Sequence, residues 1–341
     1  ADVRGTGVSG GSFEMLGPEQ VQDGVDLVNW AASLPNSNGR VGMFGISYLA
    51  INQLMTAAAV GPGSPLKAIF PAMAANDFYR DVVTMGGVPH MRTVRAYGAT
   101  YSLLNVVNPA LEFAHRGGHE RPRAGGISAV RQRGRDQRGY FKNLIKDAIA
   151  GGDTAFDGAF WDTMRPADVV PKIAENGVAV FLVAGWHDAF QRGAPLNYAV
   201  LQNPFAGRPA GAAMTADQPV SDKFQLMAGP WYHVSDLDGQ HLQALQLRWF
   251  EPWLKDDDPA VVAGDPVRFR AIGSSKWFRT NAYPFPEAKP TRLYLGLGGG
   301  LHATPSTDES TATLQYLSRG PVSGRSLEQW SLGMGSFMVS Q

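Results

Sequence analysis

The 341-residue sequence contains no cysteine, which excludes disulfide bridges, thiolate catalysis and cysteine-ligated zinc or iron–sulfur centres. It also lacks an excess of charge of either sign, because 30 Lys and Arg residues balance 30 Asp and Glu residues. Proteins that bind nucleic acid through its phosphates need a basic excess or a concentrated basic face. The charge balance therefore argues against a nucleic-acid partner.

Long apolar runs are missing as well. The sequence has no run of about 18 consecutive apolar residues, the length that spans a bilayer, so no membrane span is predicted and the compartment is left open. Charged residues make up only 18% of the chain and apolar residues 44%. This composition is typical of a folded protein with a sizeable core, and it excludes intrinsic disorder over most of the length.

The first 79 residues alternate between helix and strand patterns. Pro18 stands at the opening of a helical pattern that runs to Trp30. An apolar run at Val41–Phe44 predicts a buried strand, Ala50–Ala59 is rich in good helix formers, and Leu66–Phe70 predicts the next strand. Because a strand–helix–strand unit joins parallel strands, we expect a parallel sheet.

The alternation stops near residue 80. Residues 80–165 contain Arg-rich and Gly-rich stretches and one helix-like piece at Phe141–Ile149, a pattern that favours an insertion over a sheet. We therefore predict that this segment is a helical cap.

Strand patterns return at Val178–Val183 and Phe224–Met227. Beyond an acidic linker, Val267–Ile272 and Thr291–Leu295 predict short strands between Gly, Pro and Ser turns. The predicted organisation is a core in two parts, a cap between them and a small C-terminal β domain, with boundaries at 1–79 and 166–258 for the core, 80–165 for the cap and 259–341 for the β domain.

Three residues that could carry chemistry follow the predicted strands. Ser47 lies on a strand-to-helix turn, which lifts a hydroxyl clear of the sheet and places the helix N-terminus beside an oxyanion. Asp188 and His233 each follow a later strand. Ligands in open parallel sheets bind beyond the carboxyl ends of the strands, so the three loops are expected to face one crevice. Their order, Ser then Asp then His, is the α/β-hydrolase order.

The turn at Ser47 has a second interpretation. The general elbow pattern G-x-S-x-G places a small residue where Leu49 stands, and small Ala50 comes one position later. Ser47 is equally interpretable from its spacing as a turn residue or a helix N-cap. His187, next to Asp188, is a rival candidate for the base, although a strand-end neighbour is expected to point the other way or to line the pocket.

Four segments together resemble a known family. Gly45–Ala50 is similar to the elbow G-x-S-Y-x-G, with Ala50 in place of the last glycine, and Asp2–Gly11 is similar to D-x-R-G-x-G-x-S-x-G. Gly185–Phe190 resembles G-W-x-D-x-F, and Gly229–His233 resembles G-P-W-x-H. The sequence is thus identified as a member of the cocaine esterase and X-Pro dipeptidyl-peptidase family of serine hydrolases.

The resemblance implies an α/β-hydrolase fold with a helical cap and a C-terminal β jelly-roll domain. It implies a catalytic triad of Ser47, His233 and Asp188, with the backbone N–H of Tyr48 as an oxyanion donor. No metal and no organic cofactor is implied, and the expected substrate is a small ester or amide or a peptide. A homo-oligomer is left open.

Family members carry additional strands before the D-x-R-G segment and take a second oxyanion donor from a tyrosine in that upstream part. The jelly roll also stops early, near Gln341. The resemblance therefore leads us to expect a chain truncated at both ends, in preference to a reduced homologue whose oxyanion hole takes another donor.

The sequence indicates the substrate class less specifically than the catalytic residues. Trp186, Phe190 and Trp231 stand in the two loops that carry the acid and the base, where they could line an acyl or aryl pocket or be ordinary core aromatics. An Arg-rich cap is poorly suited to hold a free amine, which favours an esterase or acylase over an X-Pro dipeptidyl-peptidase. An inactive binding module on a hydrolase scaffold is the alternative of a different class.

Three further patterns have ordinary explanations. Gly5, Gly7 and Gly10 fit the dinucleotide fingerprint G-x-G-x-x-G, but no helix is predicted before residue 18, so a structural glycine loop is favoured. His115 and His119 have ligand-like spacing that two intervening glycines disrupt. The arginines of the cap are interpreted as a solvated surface rather than as a site for an anion; they are Arg116, Arg121, Arg123, Arg131, Arg133, Arg135 and Arg138.

Overall fold

A computed structural model describes residues 2–6, 9–89, 135, 139–233, 241–255, 265–296 and 299–307 of the chain. The paired histidines of the predicted cap, His115 and His119, and all of its arginines except Arg135 in the run Arg116–Arg138 lie outside the described residues.

The described chain contains eight helices, two helical turns and ten strands. The helices are α1 (Pro18–Ala32), α2 (Tyr48–Ala59), α3 (139–150), α4 (Ala159–Asp162), α5 (Pro166–Val169), α6 (Pro171–Glu175), α7 (Gly193–Phe205) and α8 (Leu242–Leu254), with a π-helical turn at Tyr79–Val83 and a 3-10 turn at Asp153–Ala155. The strands are β1 (Val41–Ile46), β2 (Leu66–Ala72), β3 (Thr84–Met85), β4 (Val88–Pro89), β5 (Ala179–Gly185), β6 (Phe224–Gly229), β7 (Val267–Arg270), β8 (Trp277–Thr280), β9 (Tyr294–Leu295) and β10 (Leu301–His302). None of the described helices has both the length and the apolar character needed to cross a membrane.

The central sheet has six strands in the order β1-β2-β5-β6-β7-β8. The neighbours from β1 to β7 run parallel, and β8 is antiparallel to β7. The parallel sheet predicted from the strand–helix–strand pattern is thereby confirmed. All the parallel strands end at one edge of the sheet, where the loops that carry the predicted site residues begin.

Helices cover both faces of this sheet. Along β2, β5 and β6, alternate buried residues such as Ile69 and Leu182 pack against α2 and α7, while Phe70 and Phe181 face the opposite side. On that second side the buried Trp249 of α8 packs against the Phe181 ring and donates an indole hydrogen bond to the Ile69 carbonyl, 3.1 Å away. Burial on both faces explains why these strands are continuous apolar runs in the sequence.

One expectation about the C-terminal segment needs correction. Val267–Ile272 was predicted to lie in a separate β domain that begins at residue 259. Instead, Val267–Arg270 pairs in parallel with β6, and Val267 is fully buried in the main core. A short amphipathic strand has the same pattern whether it extends one sheet or starts another, so the sequence could not distinguish the two. The core sheet continues to Thr280, and the jelly-roll domain stays a prediction.

The described part of the predicted cap is mainly helical and packs against the core. Phe78, Phe141 and Trp161 form a buried apolar cluster that also includes Tyr48, the first residue of α2, and Phe190. This packing places cap residues directly beside the loops at the carboxyl edge of the sheet.

Candidate active site

Ser47 occupies a strained turn between β1 and α2. Its backbone has φ 64° and ψ −123°, which is uncommon for a residue with a side chain. The Ser47 N–H donates to the Ala72 carbonyl at 3.0 Å, which fixes the turn to the end of β2. The Ser47 side chain makes no capping hydrogen bond to the N–H groups of α2, so its hydroxyl is not a helix cap.

Steric crowding explains why glycine stands two positions before the serine. A Cβ atom at Gly45 would lie 2.6 Å from the Cβ of Leu49, closer than real Cβ contacts occur. Both atoms are attached directly to the backbone, so neither can rotate away. Leu49 is tolerated in this elbow because Gly45 leaves it room, and Ala50 is completely buried beneath the turn.

The structure brings Ser47, His233 and Asp188 together in one line. The Nε2 atom of His233 lies 2.8 Å from the Ser47 Oγ, and its Nδ1 atom lies 2.6 Å from Oδ2 of Asp188. A carboxylate can only accept, so Nδ1 carries the proton and Nε2 is left to accept from the serine hydroxyl. Asp188 and His233 are 2% and 4% exposed, so bulk water competes little for these hydrogen bonds.

The acid and base loops are joined by their backbones. Just after the last paired residues of β5 and β6, the N–H of Trp186 donates to the Gly229 carbonyl at 2.7 Å. The N–H of His187 donates to the Trp231 carbonyl at 3.0 Å. A Cβ at Gly185 would lie 2.5 Å from that Trp231 carbonyl oxygen, and one at Gly229 would lie 2.6 Å from the Trp231 ring. The glycines that open both motifs therefore permit a close approach that any side chain would block.

Phe190 supports the acid and the base at once. Its N–H donates to Oδ1 of Asp188 at 2.5 Å, which occupies the carboxylate oxygen that does not face the imidazole. Its ring packs edge-to-face on His233, with the centroids 5.2 Å apart and the planes at 82°. These contacts hold both side chains in the geometry that joins them.

An ion pair between a buried carboxylate and a partly exposed guanidinium anchors the acid loop to the start of the cap. The guanidinium of Arg192 donates to Oδ1 of Asp81, while Oδ2 accepts the N–H groups of Asn76 at 2.8 Å and Asp77 at 3.0 Å. Burial raises the pKa of Asp81 above its ordinary value, against the opposing influence of the Arg192 hydrogen bond. The segments that follow β2 and β5 are thus fixed to one carboxylate.

Tyr48 links the elbow to α1. As the first residue of α2, it carries its N–H at the positive end of the helix dipole. Its phenol donates to Oε1 of Gln20 at 2.5 Å and accepts the N–H of Leu16 at 3.1 Å, and both of these residues are buried. Sequence reasoning missed Gln20; a polar residue on the apolar stripe of α1 was the available signal.

The three predicted pocket residues lie in different surroundings. Trp231 is 1% exposed and packs against Trp277, with the ring centroids 6.1 Å apart, in the core on the α8 side. Trp186 is half-buried and donates its indole N–H to the Arg270 carbonyl at 2.7 Å. Of the three, Phe190 is the one whose ring contacts His233. Phe190 is itself buried, so a pocket role stays a prediction for all three, and the two tryptophans take part in core packing.

The structure also shows the surroundings of His187, the rival candidate for the base, and of the glycine loop that fits the dinucleotide fingerprint. The ring of His187 stacks on Tyr232, with the centroids 5.0 Å apart, and it is His233 that reaches Ser47. In the glycine loop, Arg4 donates to Asp23 of α1 at 2.7 Å and holds the pKa of that carboxyl below its ordinary value. Helix α1 begins only at Pro18, so the glycines do not open a helix as a dinucleotide site requires.

This doubly covered parallel sheet, with a serine elbow and with acid and base loops at its carboxyl edge, is an α/β-hydrolase fold. The chain belongs to the X-Pro dipeptidyl-peptidase (S15) family, whose model matches residues 1–235. The family relationship suggested by the sequence motifs is thereby confirmed.

Individual relatives agree with this assignment. The chain is 24% identical to cocaine esterase from Rhodococcus sp. (strain MB1 Bresler) over 355 residues, an alignment that covers 94% of this chain and 57% of the esterase. Two solved structures share the fold. A CocE/NonD family hydrolase from Staphylococcus aureus has a TM-score of 0.58 and 21% identity, with 86% of this chain and 44% of that chain covered. An aminopeptidase from a marine sediment Thaumarchaeota archaeon has a TM-score of 0.64 and 22% identity, with 89% and 50% covered. The chain thus spans about half the length of these relatives.

Proposed function

We propose that the protein hydrolyses ester or amide bonds through Ser47, His233 and Asp188, with an acyl-enzyme intermediate. The observation that carries this proposal is the 2.8 Å separation between His233 Nε2 and Ser47 Oγ, in a site where Asp188 accepts from the other imidazole nitrogen. An alcohol is a poor nucleophile unless a neighbouring base removes its proton and a third group orients that base. The three side chains have the geometry that these roles require.

In the first half of the reaction, Ser47 Oγ attacks the substrate carbonyl carbon while His233 Nε2 accepts the hydroxyl proton. The imidazole becomes charged, and the buried Asp188 carboxylate stabilises that charge through Nδ1. His233 then returns the proton to the leaving alcohol or amine, which departs and leaves the acyl group on Ser47. General base catalysis of this kind contributes about 100- to 10,000-fold to the rate.

In the second half, water replaces the leaving group. His233 accepts a proton from the water as its oxygen attacks the acyl carbon, and it returns that proton to Ser47 Oγ as the acid product leaves. In both halves the carbonyl oxygen becomes negatively charged, and the backbone N–H of Tyr48, at the N-terminus of α2, supplies one stabilising donor. Loss of a single oxyanion donor typically costs about 100- to 1,000-fold in rate.

We propose an esterase or acylase in preference to an X-Pro dipeptidyl-peptidase. A dipeptidyl-peptidase must bind the free amine of its substrate, which requires an unpaired carboxylate near the site. In the described part of the cap, Asp157 pairs with both Arg80 and Arg165, and just before the cap Asp77 pairs with Arg165. Carboxylates that already pair with arginines are poor partners for a substrate amine. The family description supports X-Pro dipeptidyl-peptidase activity as the alternative.

The test compares two substrate classes on the same protein preparations. Short-chain nitrophenyl esters and X-Pro nitroanilides are offered to the wild-type chain, to Ser47→Ala, and to Ser33→Ala as a control at an exposed serine at the end of α1. We expect the wild type and the control to hydrolyse the esters with higher kcat/KM than the anilides, and Ser47→Ala to lose both activities. Faster cleavage of the anilides would favour the dipeptidyl-peptidase, and full activity in Ser47→Ala would end the proposal.

A further inference from the structure

Two arginines lie opposite each other at the β7–β8 end of the sheet, on the side that α8 covers, and a third lies on α8 itself. Arg268 of β7 lies directly opposite Arg279 of β8 in the antiparallel pair. Burial lowers the pKa of Arg268 below its ordinary value, and charge repulsion from Arg279 and from the nearby Arg248 of α8 lowers it further. Like charges directly opposite each other destabilise an antiparallel pair. The arrangement is unfavourable unless an anion lies among the guanidinium groups.

No such anion comes from the described part of the chain. Within those residues, Arg248, Arg268 and Arg279 form no ion pair and no hydrogen bond with a carboxylate. The half-buried Arg268 lies over the Phe181 ring, 5.4 Å from its centroid, which orients the guanidinium without neutralising it. The charge of Arg268 is thus fixed in position and available to a ligand.

A cavity opens beside these groups. It has a volume of about 180 Å³ and is lined by Met227, Arg268, Trp277 and Arg279. That is several times the roughly 30 Å³ that one water molecule occupies in the liquid, so a small anion fits with its hydration water. Guanidinium groups bind carboxylate and phosphate oxygens in a two-point geometry, and here two of them line the same space.

We propose that the arginine cluster Arg248, Arg268 and Arg279 is a binding site for a free oxyanion, the carboxylate or phosphate group of a small molecule. The site does not depend on the hydrolase activity. It adjoins the base loop, because Trp277, which lines the cavity, packs against Trp231, two residues before His233. A bound anion would relieve the repulsion between the strands and hold Trp277 in place.

Thermal unfolding of the full chain in inorganic phosphate tests the proposal. The control titration uses sodium chloride at matched ionic strength, because screening alone also weakens repulsion between arginines. We expect phosphate to raise Tm saturably beyond the chloride control. We expect Arg268→Met and Arg279→Gln each to weaken phosphate binding by about tenfold or more, as is typical for loss of one charge-assisted hydrogen bond. Arg292→Gln, at an exposed arginine outside the cluster, should bind like the wild type.

The proposal is overturned if phosphate and chloride have the same effect on the wild type, or if the cluster variants respond to phosphate as Arg292→Gln does. Arg279 is exposed, so Arg279→Gln should fold even if Arg268→Met does not. A further variant tests whether carboxylates of the chain itself occupy the arginine cluster in place of a free anion. If phosphate binds only after Asp256, Asp257 and Asp258 are all replaced by Asn, the cluster is neutralised by the chain's own carboxylates, and a free ligand is excluded.

Discussion

The imidazole of His233 contacts the Ser47 hydroxyl at 2.8 Å although 186 positions separate the two residues in the sequence. The contact also crosses the sheet, because β2 and β5 lie between β1, which ends before Ser47, and β6. Three strand spacings of about 4.8 Å must be bridged. The four residues from Pro230 to His233 turn the chain back across the strand ends, where hydrogen bonds to the acid loop hold it.

Backbone strain at Ser47 predicts a difference in folding stability between two variants that lack the serine hydroxyl. Ser47→Ala keeps a side chain at φ 64°, whereas Ser47→Gly relieves the strain. We expect Ser47→Gly to exceed Ser47→Ala in free energy of unfolding by about 1 kcal/mol, measured by urea denaturation. Ser33, at φ −86°, is the matched control, and there Gly should be no more stable than Ala. Equal stabilities at position 47 would show that the turn is not strained.

The contact between Gly45 and Leu49 predicts a rescue experiment. Gly45→Ala forces β1 and the first turn of α2 apart, which displaces Ser47, so we expect a loss of about 1–3 kcal/mol in stability together with most of the activity. Adding Leu49→Gly removes the opposing Cβ and should restore activity in part. Gly211→Ala, at an exposed turn where a Cβ would meet nothing within 4 Å, is the control and should change neither stability nor activity. A fully active Gly45→Ala variant would contradict this steric account.

Replacement of the acid should affect turnover more than binding. In Asp188→Asn, the amide can no longer hold the imidazole with its proton on Nδ1, so His233 loses the tautomer that accepts from Ser47. If the proposed triad operates, we expect kcat to fall by about 1,000- to 10,000-fold with little change in KM. His187→Ala, one position away, should retain most of kcat. Similar losses in both variants would indicate a general effect on the loop.

The Asp81–Arg192 pair predicts a pH-dependent loss of stability. In Arg192→Gln, the buried Asp81 carboxylate loses its charged partner, at a cost of about 2 kcal/mol near neutral pH. Burial already raises the pKa of Asp81, and loss of Arg192 raises it further. A carboxyl that binds its proton more tightly when folded contributes less stability as pH rises towards its folded pKa. The loss should therefore be larger at a pH of about 8 than at about 5.

The double variant Asp81→Asn with Arg192→Gln is the control for this effect. It has no buried charge at position 81, so its stability should depend less on pH than that of Arg192→Gln alone. Urea denaturation at both pH values measures all three proteins. A loss in Arg192→Gln that does not change with pH would show that Asp81 stays ionised without its partner.

The proximity of the three candidate residues could be predicted from the sequence because each follows a local rule. Ser47, Asp188 and His233 each come shortly after a strand, and parallel strands end at one edge, so their proximity follows from strand order. Helix α1 could be predicted equally well, because Pro18 marks its first turn. The observed helix ends at Ala32, two residues beyond the predicted end at Trp30.

Features that depend on distant contacts could not be predicted in this way. The Arg192–Asp81 pair joins residues 111 positions apart, and the Gln20–Tyr48 hydrogen bond spans 28 positions. In neither pair does the sequence around one residue indicate which distant residue it contacts. The place of β7 in the core sheet was missed for the same reason, because strand pairing depends on the whole topology and a single strand pattern does not encode it.

Covalent labelling by a fluorophosphonate tests the central claim most directly. The probe reacts with a serine only when a neighbouring base activates its hydroxyl, so peptide mass spectrometry of the labelled full chain reports on Ser47 itself. We predict a phosphonate adduct on Ser47 in the wild type and in Ser33→Ala, and no adduct in Ser47→Ala or His233→Ala. An adduct on another serine, or undiminished labelling of Ser47 in His233→Ala, would contradict the account.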